Sequence, residues 1–383
     1  MKNVLIVANL AGFASFLLND MKTLQEMGYQ ITFAANSNKL EWSDTKEKLD
    51  ERGITFIQID FDSKNPFSKQ NLIAYKQIRQ LLKLNHYDLI HCHTPIAGLI
   101  TRLAANKYRR KNTKVIYTTH GFAFTSNSSK KSWFIFYNLE KFGSRFCDAM
   151  ITINLEDFQN AKRMHCRQVY YIHGVGVDTS KYREVQIDRD AYRKSIGVDE
   201  GKVMILSVGE LSVRKNHRII IEAISKLPDK EKFIYVVCGN GINGGTKQLL
   251  KELANQNKVN LKLLGFRHDI PEITYCSDVG AIPSLREGLG LAGVQSLAAG
   301  VPIVGSDVQG IRDYVQNKGT GYLCAADDAN GFASAILKLS QVDEVEKRKM
   351  QSQCYEVASQ FDTAVSRQEM VQIYKKVLGR KEK

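Results

Sequence analysis

Short apolar runs separated by helix-length amphipathic stretches recur along the whole chain, and this alternation restricts the fold more than any other feature. Residues 4–8, 31–35, 55–59, 89–93, 115–119 and 149–153 read as buried strands, most of them followed by enough sequence for a helix before the next run. Strands spaced in this way are joined by crossovers and not by hairpins, so the pattern predicts parallel sheets with helices on both faces. A second series occupies residues 203–208, 233–238, 261–264, 279–282, 302–304 and 321–323. Between the two series, residues 178–197 are polar and carry no strand pattern. The expected fold is therefore α/β, with two doubly wound, Rossmann-like domains over 1–185 and 186–363 and a helix with a basic tail over 364–383. A length of 383 residues suits two domains at roughly 100–200 residues each.

Charge narrows the partners. Lys and Arg number 54 against 40 Asp and Glu, a net charge of +14, which points to nucleic acid, a phospholipid surface or a phosphorylated substrate. The surplus lies early: residues 1–185 hold 26 basic and 16 acidic residues. None of the basic runs sits in a recognisable nucleic-acid reading module, so no nucleic acid is expected. Seven cysteines without a C-x-x-C pair argue for a reducing compartment. The uncharged run after Lys2 is broken by Asn9 and Gly12 and passes directly into an amphipathic pattern, unlike a signal peptide. No stretch reaches the ~18–20 apolar residues of a membrane span, and a cytoplasmic location is expected.

The second half carries the richest chemistry. Strand 203–208 runs into Gly209, then Arg214 and Lys215, then a helix. Ligands of open parallel sheets bind beyond the carboxyl ends of the strands, where Gly209 admits a close backbone approach and the two cations suit a diphosphate. Cations that merely solvate a loop would read the same. The next strand ends in Gly239-Asn240-Gly241-Ile242-Asn243-Gly244, a G-x-G-x-x-G that would suit a dinucleotide, but the acidic residue such folds need at the end of the following strand is missing: Gly265-Phe266-Arg267 stands there and Asp269 comes late. After strand 279–282 come Glu287-Gly288-Leu289-Gly290-Leu291 and a helix, with Gln295 eight residues beyond Glu287. Glycines at a helix start expose N–H groups that favour phosphate, and a spacing of a little over two turns would let one extended ligand touch both Glu287 and Gln295.

Taken together, Gly209 with Arg214-Lys215, the Gly239–Gly241 turn, Leu264-Gly265-Phe266-Arg267, Glu287-Gly288 and Gly300-Val301-Pro302 resemble the retaining glycosyltransferases of family four, which have the GT-B fold. The likeness continues in the first half at residues 88–95, at Thr119-His120-Gly121-Phe122 and at residues 174–178, and so covers nearly the whole chain. In spacing it is most similar to bacterial capsule and exopolysaccharide transferases that add a sugar from a UDP donor to an undecaprenyl-diphosphate-linked acceptor. The resemblance implies two domains facing a central cleft, peripheral attachment to the inner face of the plasma membrane, and no cofactor or metal beyond the nucleotide sugar itself.

The same resemblance distributes the site. Donor contacts fall on Gly209, Arg214, Lys215, Gly239, Gly241, Phe266, Arg267, Glu287, Gly288, Leu289, Gly290, Leu291 and Gln295, acceptor contacts on Gly12, Phe13, His93, His120 and Gly121, and catalysis on His120, Glu287, Arg214 and Lys215. Two positions depart from the family pattern. Gln295 stands where the family has a second glutamate, exchanging a charge for an amide that can still bond a diol, and Ala11-Gly12-Phe13 replaces the paired glycines of many relatives. A retaining reaction needs no dedicated base when the departing diphosphate takes the acceptor proton.

Other features read as structural. Asp60-Phe61-Asp62 and Asp188-Arg189-Asp190 are taken as solvated acids and not metal ligands, and His91-Cys92-His93 as a packed strand end lacking a third ligand. Two basic clusters, one of Arg102, Lys107, Arg109, Arg110, Lys111 and Lys114, the other of Lys130-Lys131 before Trp133, Phe134, Phe136 and Tyr137, suit an anionic membrane surface, or equally a solvated run beside core aromatics. The competing functions are a UDP-sugar epimerase of the same architecture and an NAD-dependent oxidoreductase built on Gly239–Gly244.

Overall fold

A computed structural model describes residues 2–38, 43–241 and 245–379. The chain divides into two compact units, Met1–Gly176 together with Thr363–Lys383, and Val177–Asp362. The division corrects the expected boundary at 185/186 in two respects. The short helices Ser180–Arg183 and Arg189–Ser195 belong to the second unit, and the C-terminal helix Thr363–Val377 returns to the first.

The first unit is a seven-stranded sheet of β1 (Lys2–Leu10), β2 (Tyr29–Asn36), β3 (Thr55–Gln58), β4 (Leu89–His93), β5 (Lys114–Thr118), β6 (Ala149–Thr152) and β7 (Gln168–Tyr171), in the order β3-β2-β1-β4-β5-β6-β7. The second has β8 (Val203–Val208), β9 (Phe233–Cys238), β10 (Asn260–Gly265), β11 (Val279–Ile282), β12 (Ile303–Ser306) and β13 (Gly321–Cys324), in the order β10-β9-β8-β11-β12-β13. Every pairing in both sheets is parallel. Each sheet therefore has all its carboxyl ends on one edge and reverses its strand order once, between β1 and β4 and between β8 and β11.

Helix ends follow local chemistry: Ser68, Asn154, Asp188 and Asp343 cap the helices that follow them through side-chain oxygens. Asp188 is thus consumed as a cap, while Asp60 bonds Gln77 and Gln58 and Asp62 bonds the backbone of Lys64 and Asn65. The seven cysteines are all buried thiols.

Two buried polar clusters shape the first unit. Arg102, 0% exposed, bonds Glu140 at 2.8 Å and the Gly98 carbonyl at 3.0 Å, and lies 3.9 Å from the centre of the Tyr117 ring, whose hydroxyl donates to Glu140 at 3.0 Å. This removes Arg102 from the surface cluster that the sequence placed it in. Arg109 is likewise engaged, with Asp148 at 2.9 Å. In the second cluster, Tyr374 of the C-terminal helix puts its hydroxyl 2.9 Å from His91 Nδ1, and His91 Nε2 lies 2.8 Å from Thr118 Oγ1. The returning helix is thereby fastened into the sheet. Tyr374 and Val377 of this helix are buried, and residues 380–383 of the basic end that the sequence reads as a solvated tail lie outside the described residues.

Both tryptophans, Trp42 and Trp133, lie in the first unit's sequence, so tryptophan fluorescence reports its unfolding. Glu140→Leu should destabilise this unit by about 3–5 kcal/mol in denaturant titration because it strands a buried guanidinium, and Arg102→Met with Glu140→Leu should recover much of the loss. Burial, with a lesser contribution from His120, takes the pKa of His91 down from 6.5 to about 3. The unfolded chain then binds the proton first. His91's share of stability is complete above 6.5 and falls as pH drops toward 3; His91→Gln should flatten the fluorescence-detected loss of stability across that window.

Candidate functional site

In open parallel sheets the crevice beyond the strand ends at the point of order reversal is where ligands bind, and in each unit the residues singled out in the sequence collect there. In the second unit β8 ends at Gly209 and β9 at Gly239, with φ of +155° and +151°. A Cβ on Gly239 would lie 1.9 Å from the Gly209 carbonyl oxygen, so a side chain here would force the two strand ends apart. Beyond Gly209, a single 3-10 turn, Val213–Lys215, presents the two cations. Asn216, at φ +54°, anchors the turn by donating to the carbonyls of Pro283 at 3.1 Å and Ala326 at 2.9 Å. His217 bridges the Tyr235 hydroxyl (2.9 Å) and the Glu210 carbonyl (3.1 Å), and burial takes its pKa down to about 4.

Glu287 is the focus of this arrangement. Its Oε2 accepts from Lys215 Nζ at 2.7 Å, Ser284 Oγ at 3.0 Å and Arg214 at 3.2 Å. Arg214 also bonds Glu210 at 3.1 Å. Glu287 is 13% exposed. Burial alone would raise its pKa, but Lys215, Arg214 and the bonds from Lys215 and Ser284 outweigh it and hold the carboxyl below its ordinary value. Arg214 and Lys215 are therefore built into the fold and are not solvated cations of a mobile loop. Both cations meet Glu287 at one oxygen.

The helix Leu291–Ala298 begins after Gly290, at φ +82°, with no side chain capping it. A Cβ on Gly290 would come within 2.8 Å of Glu287 Cγ and 2.9 Å of the Tyr314 hydroxyl, which donates to the Gly290 carbonyl at 3.2 Å. The glycine thus lets the helix start pass over the Glu287 side chain. Gly288 lies in the same loop. Leu289 is buried, so only its backbone can face a ligand, and Leu291 is half-buried. Gln295 lies beside Tyr182, whose hydroxyl burial pushes up to about 12 against a smaller lowering by Gln295. At the end of β10 Phe266 is 68% exposed with its ring edge-on to His268, while Arg267 is held by Asp269 through Nε at 2.8 Å and a second bond, and Asp269 also accepts from Tyr192 at 2.7 Å. Arg267 thus presents a neutralised side chain. Gly241 is described, but Ile242, Asn243 and Gly244 of the glycine motif lie outside the described residues.

In the first unit β1 leads into the 3-10 turn Ala11–Phe16, which holds Gly12 and Phe13. Asn9 Oδ1 accepts from the Ala97 amide at 2.7 Å, joining the end of β1 to the helix that follows β4. The Phe13 ring stands edge-on to His120 with centroids 4.7 Å apart. His120 Nε2 lies 3.1 Å from His93 Nδ1, and burial takes the pKa of His120 down to about 4. Gly121, at φ +113°, turns the chain after His120, and Asp157 then fixes the Phe122 amide at 2.9 Å. Thr94 adopts φ +65° and ψ 149°, a strained conformation for a β-branched residue and one that clusters at functional sites. His93, expected to touch the acceptor, is 1% exposed; it touches His120 instead.

Ser284, Glu210, Asn216, His217 and Tyr314 complete these sites without having been read from the sequence. Only Ser284 had a local signal, three residues before Glu287. Glu210 bonds Arg214 four residues on, and the remaining three act through partners distant in the chain.

The family described as "Glycosyl transferases group 1" matches residues 188–357, and "Glycosyl transferase 4-like" matches residues 3–154. EpsD of Bacillus subtilis (strain 168), named as a glycosyltransferase, is 34% identical over 94% of this chain and 93% of its own. An Escherichia coli UDP-Gal:alpha-D-GlcNAc-diphosphoundecaprenol alpha-1,3-galactosyltransferase is 30% identical over 68% of each chain. In three dimensions, Anabaena HepE, solved with UDP and glucose, superposes with a TM-score of 0.79 over 98% of this chain and 100% of that one, at 20% identity. With both sheets parallel and both halves matched, the chain belongs to the group 1, family-four-like glycosyltransferases and has the GT-B fold.

Proposed function

We propose that this glycosyltransferase transfers a hexose or N-acetylhexosamine from a UDP-sugar to a lipid-linked, undecaprenyl-diphosphate saccharide with retention of anomeric configuration, in capsule or exopolysaccharide synthesis. The observation that carries the reading is the convergence of Arg214 and Lys215 on Glu287 within 2.7–3.2 Å, at the start of an uncapped helix. The relative from E. coli, named for a UDP-sugar donor and a diphosphoundecaprenol acceptor, supports the substrate classes. In the reaction proposed, the bond from C1 of the sugar to the diphosphate breaks as the bond to the acceptor oxygen forms on the same face, and the acceptor proton passes to the departing phosphate oxygen. Arg214, Lys215 and the helix-start amides stabilise the charge that develops there; one such donor typically accounts for about 10²–10³ in rate. Glu287 and His120 act on the sugar, Gln295 on the ribose. No metal is assigned, since the cations supply the charge.

The oxidoreductase alternative lacks a free ribose-binding acid, because Asp269 is held by Arg267 and Tyr192. Epimerisation is separated by product analysis with UDP-sugar alone, which should give no interconverted sugar.

Attachment to an anionic lipid surface is supported by the helix Lys130–Gly143. Trp133, Phe136 and Tyr137 pack on the core, but Phe134 is 67% exposed and Ile135 and Phe142 are also exposed, alongside exposed Lys130 and Lys131. The helix Lys69–Leu84 adds exposed Leu72 and Ile73 on a segment with four basic and no acidic residues. Among the described residues no helix is long and apolar enough to cross a membrane.

Replacing both Arg214 and Lys215 with alanine should weaken UDP binding more than about tenfold in calorimetry. Glu287→Gln should lower kcat far more than UDP affinity, while Gln295→Ala should chiefly raise the donor KM; the opposite pattern would reverse the two roles. Turnover should persist in excess EDTA. Binding to vesicles containing anionic lipid should exceed binding to neutral ones and weaken as the Debye length falls from ~10 Å at 0.1 M salt to ~3 Å at 1 M, and Phe134→Ser should reduce it.

A further inference from the structure

We infer that His93 is a positioning residue: it fixes which nitrogen of His120 carries the proton and makes His120 a hydrogen-bond donor toward the sugar instead of a base. The inference rests on the reading above that His120 faces the reacting sugar.

His93 Nδ1 and His120 Nε2 face each other at 3.1 Å. Burial holds both imidazoles neutral, so each ring carries one proton, and one of the two facing nitrogens must donate while the other accepts. If His120 donated, the proton of His93 would sit on its Nε2. That atom is buried and has no hydrogen-bond partner among the described residues. A buried N–H without an acceptor is rare and costly, whereas a bare lone pair is tolerated better. The favoured arrangement therefore has His93 Nδ1–H donating to His120 Nε2, with the proton of His120 on Nδ1, the nitrogen turned away from His93.

Neighbouring contacts hold this arrangement. His91 packs against His93 with ring centres 4.1 Å apart and planes tilted by 39°, and is itself fixed at both nitrogens by Tyr374 and Thr118. Phe13 stands against the His120 ring from another side. His120 Nδ1 makes no hydrogen bond among the described residues, so its proton is available to a sugar oxygen. The other tautomer would present a lone pair there, able to take a proton from an acceptor hydroxyl. His93 thus decides between a donor and a base, and the donor agrees with a reaction in which the departing diphosphate takes the proton.

Nitrogen NMR of the isotope-labelled resting enzyme reads the tautomer directly, with the His120 signals identified by their loss in His120→Gln. Protonation at Nδ1 is expected; protonation at Nε2 overturns the inference and leaves the transferase assignment intact. His93→Asn, whose amide nitrogen takes the place of Nδ1, should keep the tautomer and a kcat within about twofold of wild type. His93→Leu, which has no donor, should move the proton toward Nε2 and lower kcat about tenfold with little change in donor KM. Unchanged turnover in His93→Leu overturns the positioning role. Full turnover in His120→Gln overturns the placement of His120 against the sugar, and the role with it, even where the tautomer is as stated.

Discussion

Parallel pairing governs everything else in this molecule. A parallel strand cannot be reached by a hairpin, so each crossover carries a helix or a long loop back across the sheet, and every strand in a unit points its carboxyl end the same way. Gly209, Gly239 and Glu287 follow β8, β9 and β11, and Phe13, His93 and His120 follow or close β1, β4 and β5. Within each unit, residues from remote parts of the sequence are therefore brought to one edge of that unit's sheet. The break in strand order supplies the space, and the glycines let backbone and side chains close in around it.

The parts legible in the sequence were those encoded locally. Buried strands announce themselves by continuous apolar runs, and twelve of them were read with small errors at their ends. β7 was not, because Gln168–Tyr171 is an edge strand whose side chains are only partly covered and whose short apolar run is half tyrosine. The domain boundary was misplaced for a different reason. Polarity marked residues 178–197 as a linker, but Arg193 is buried there and bonds Asp278 at 3.1 Å, a contact no local pattern reveals. The C-terminal helix docks through contacts distant in the chain, among them Tyr374 with His91, 283 positions apart, Glu369 with His173 and Ser366 with the Gly174 carbonyl. Local pattern says that Thr363–Val377 is a helix and nothing about where it docks.

Charge was the least legible property. Counting Lys and Arg located a positive half, yet it could not separate Arg102, sealed against Glu140 and Tyr117, from lysines that do face solvent. Nor could it show that the cations of the second unit are already paired. Histidines posed the same difficulty. His91, His93 and His120 all read as candidates for chemistry or packing, and only burial and partners distinguish an anchor such as His91, engaged at both nitrogens, from a ring such as His120, engaged at one.

The pairing of Arg214 and Lys215 with Glu287 and Glu210 has a consequence for selectivity. Two carboxylates cancel two cations, so Arg214 and Lys215 exert little long-range pull on passing anions. Glu287 acts as an occupant of its own site. An anion binding at these cations would have to exchange with Glu287 and give Lys215 and Arg214 better bonds than the carboxylate already provides, and a halide or a lone carboxylate has nothing better to offer. The pairing is thus a charge-balanced arrangement that keeps both cations in register.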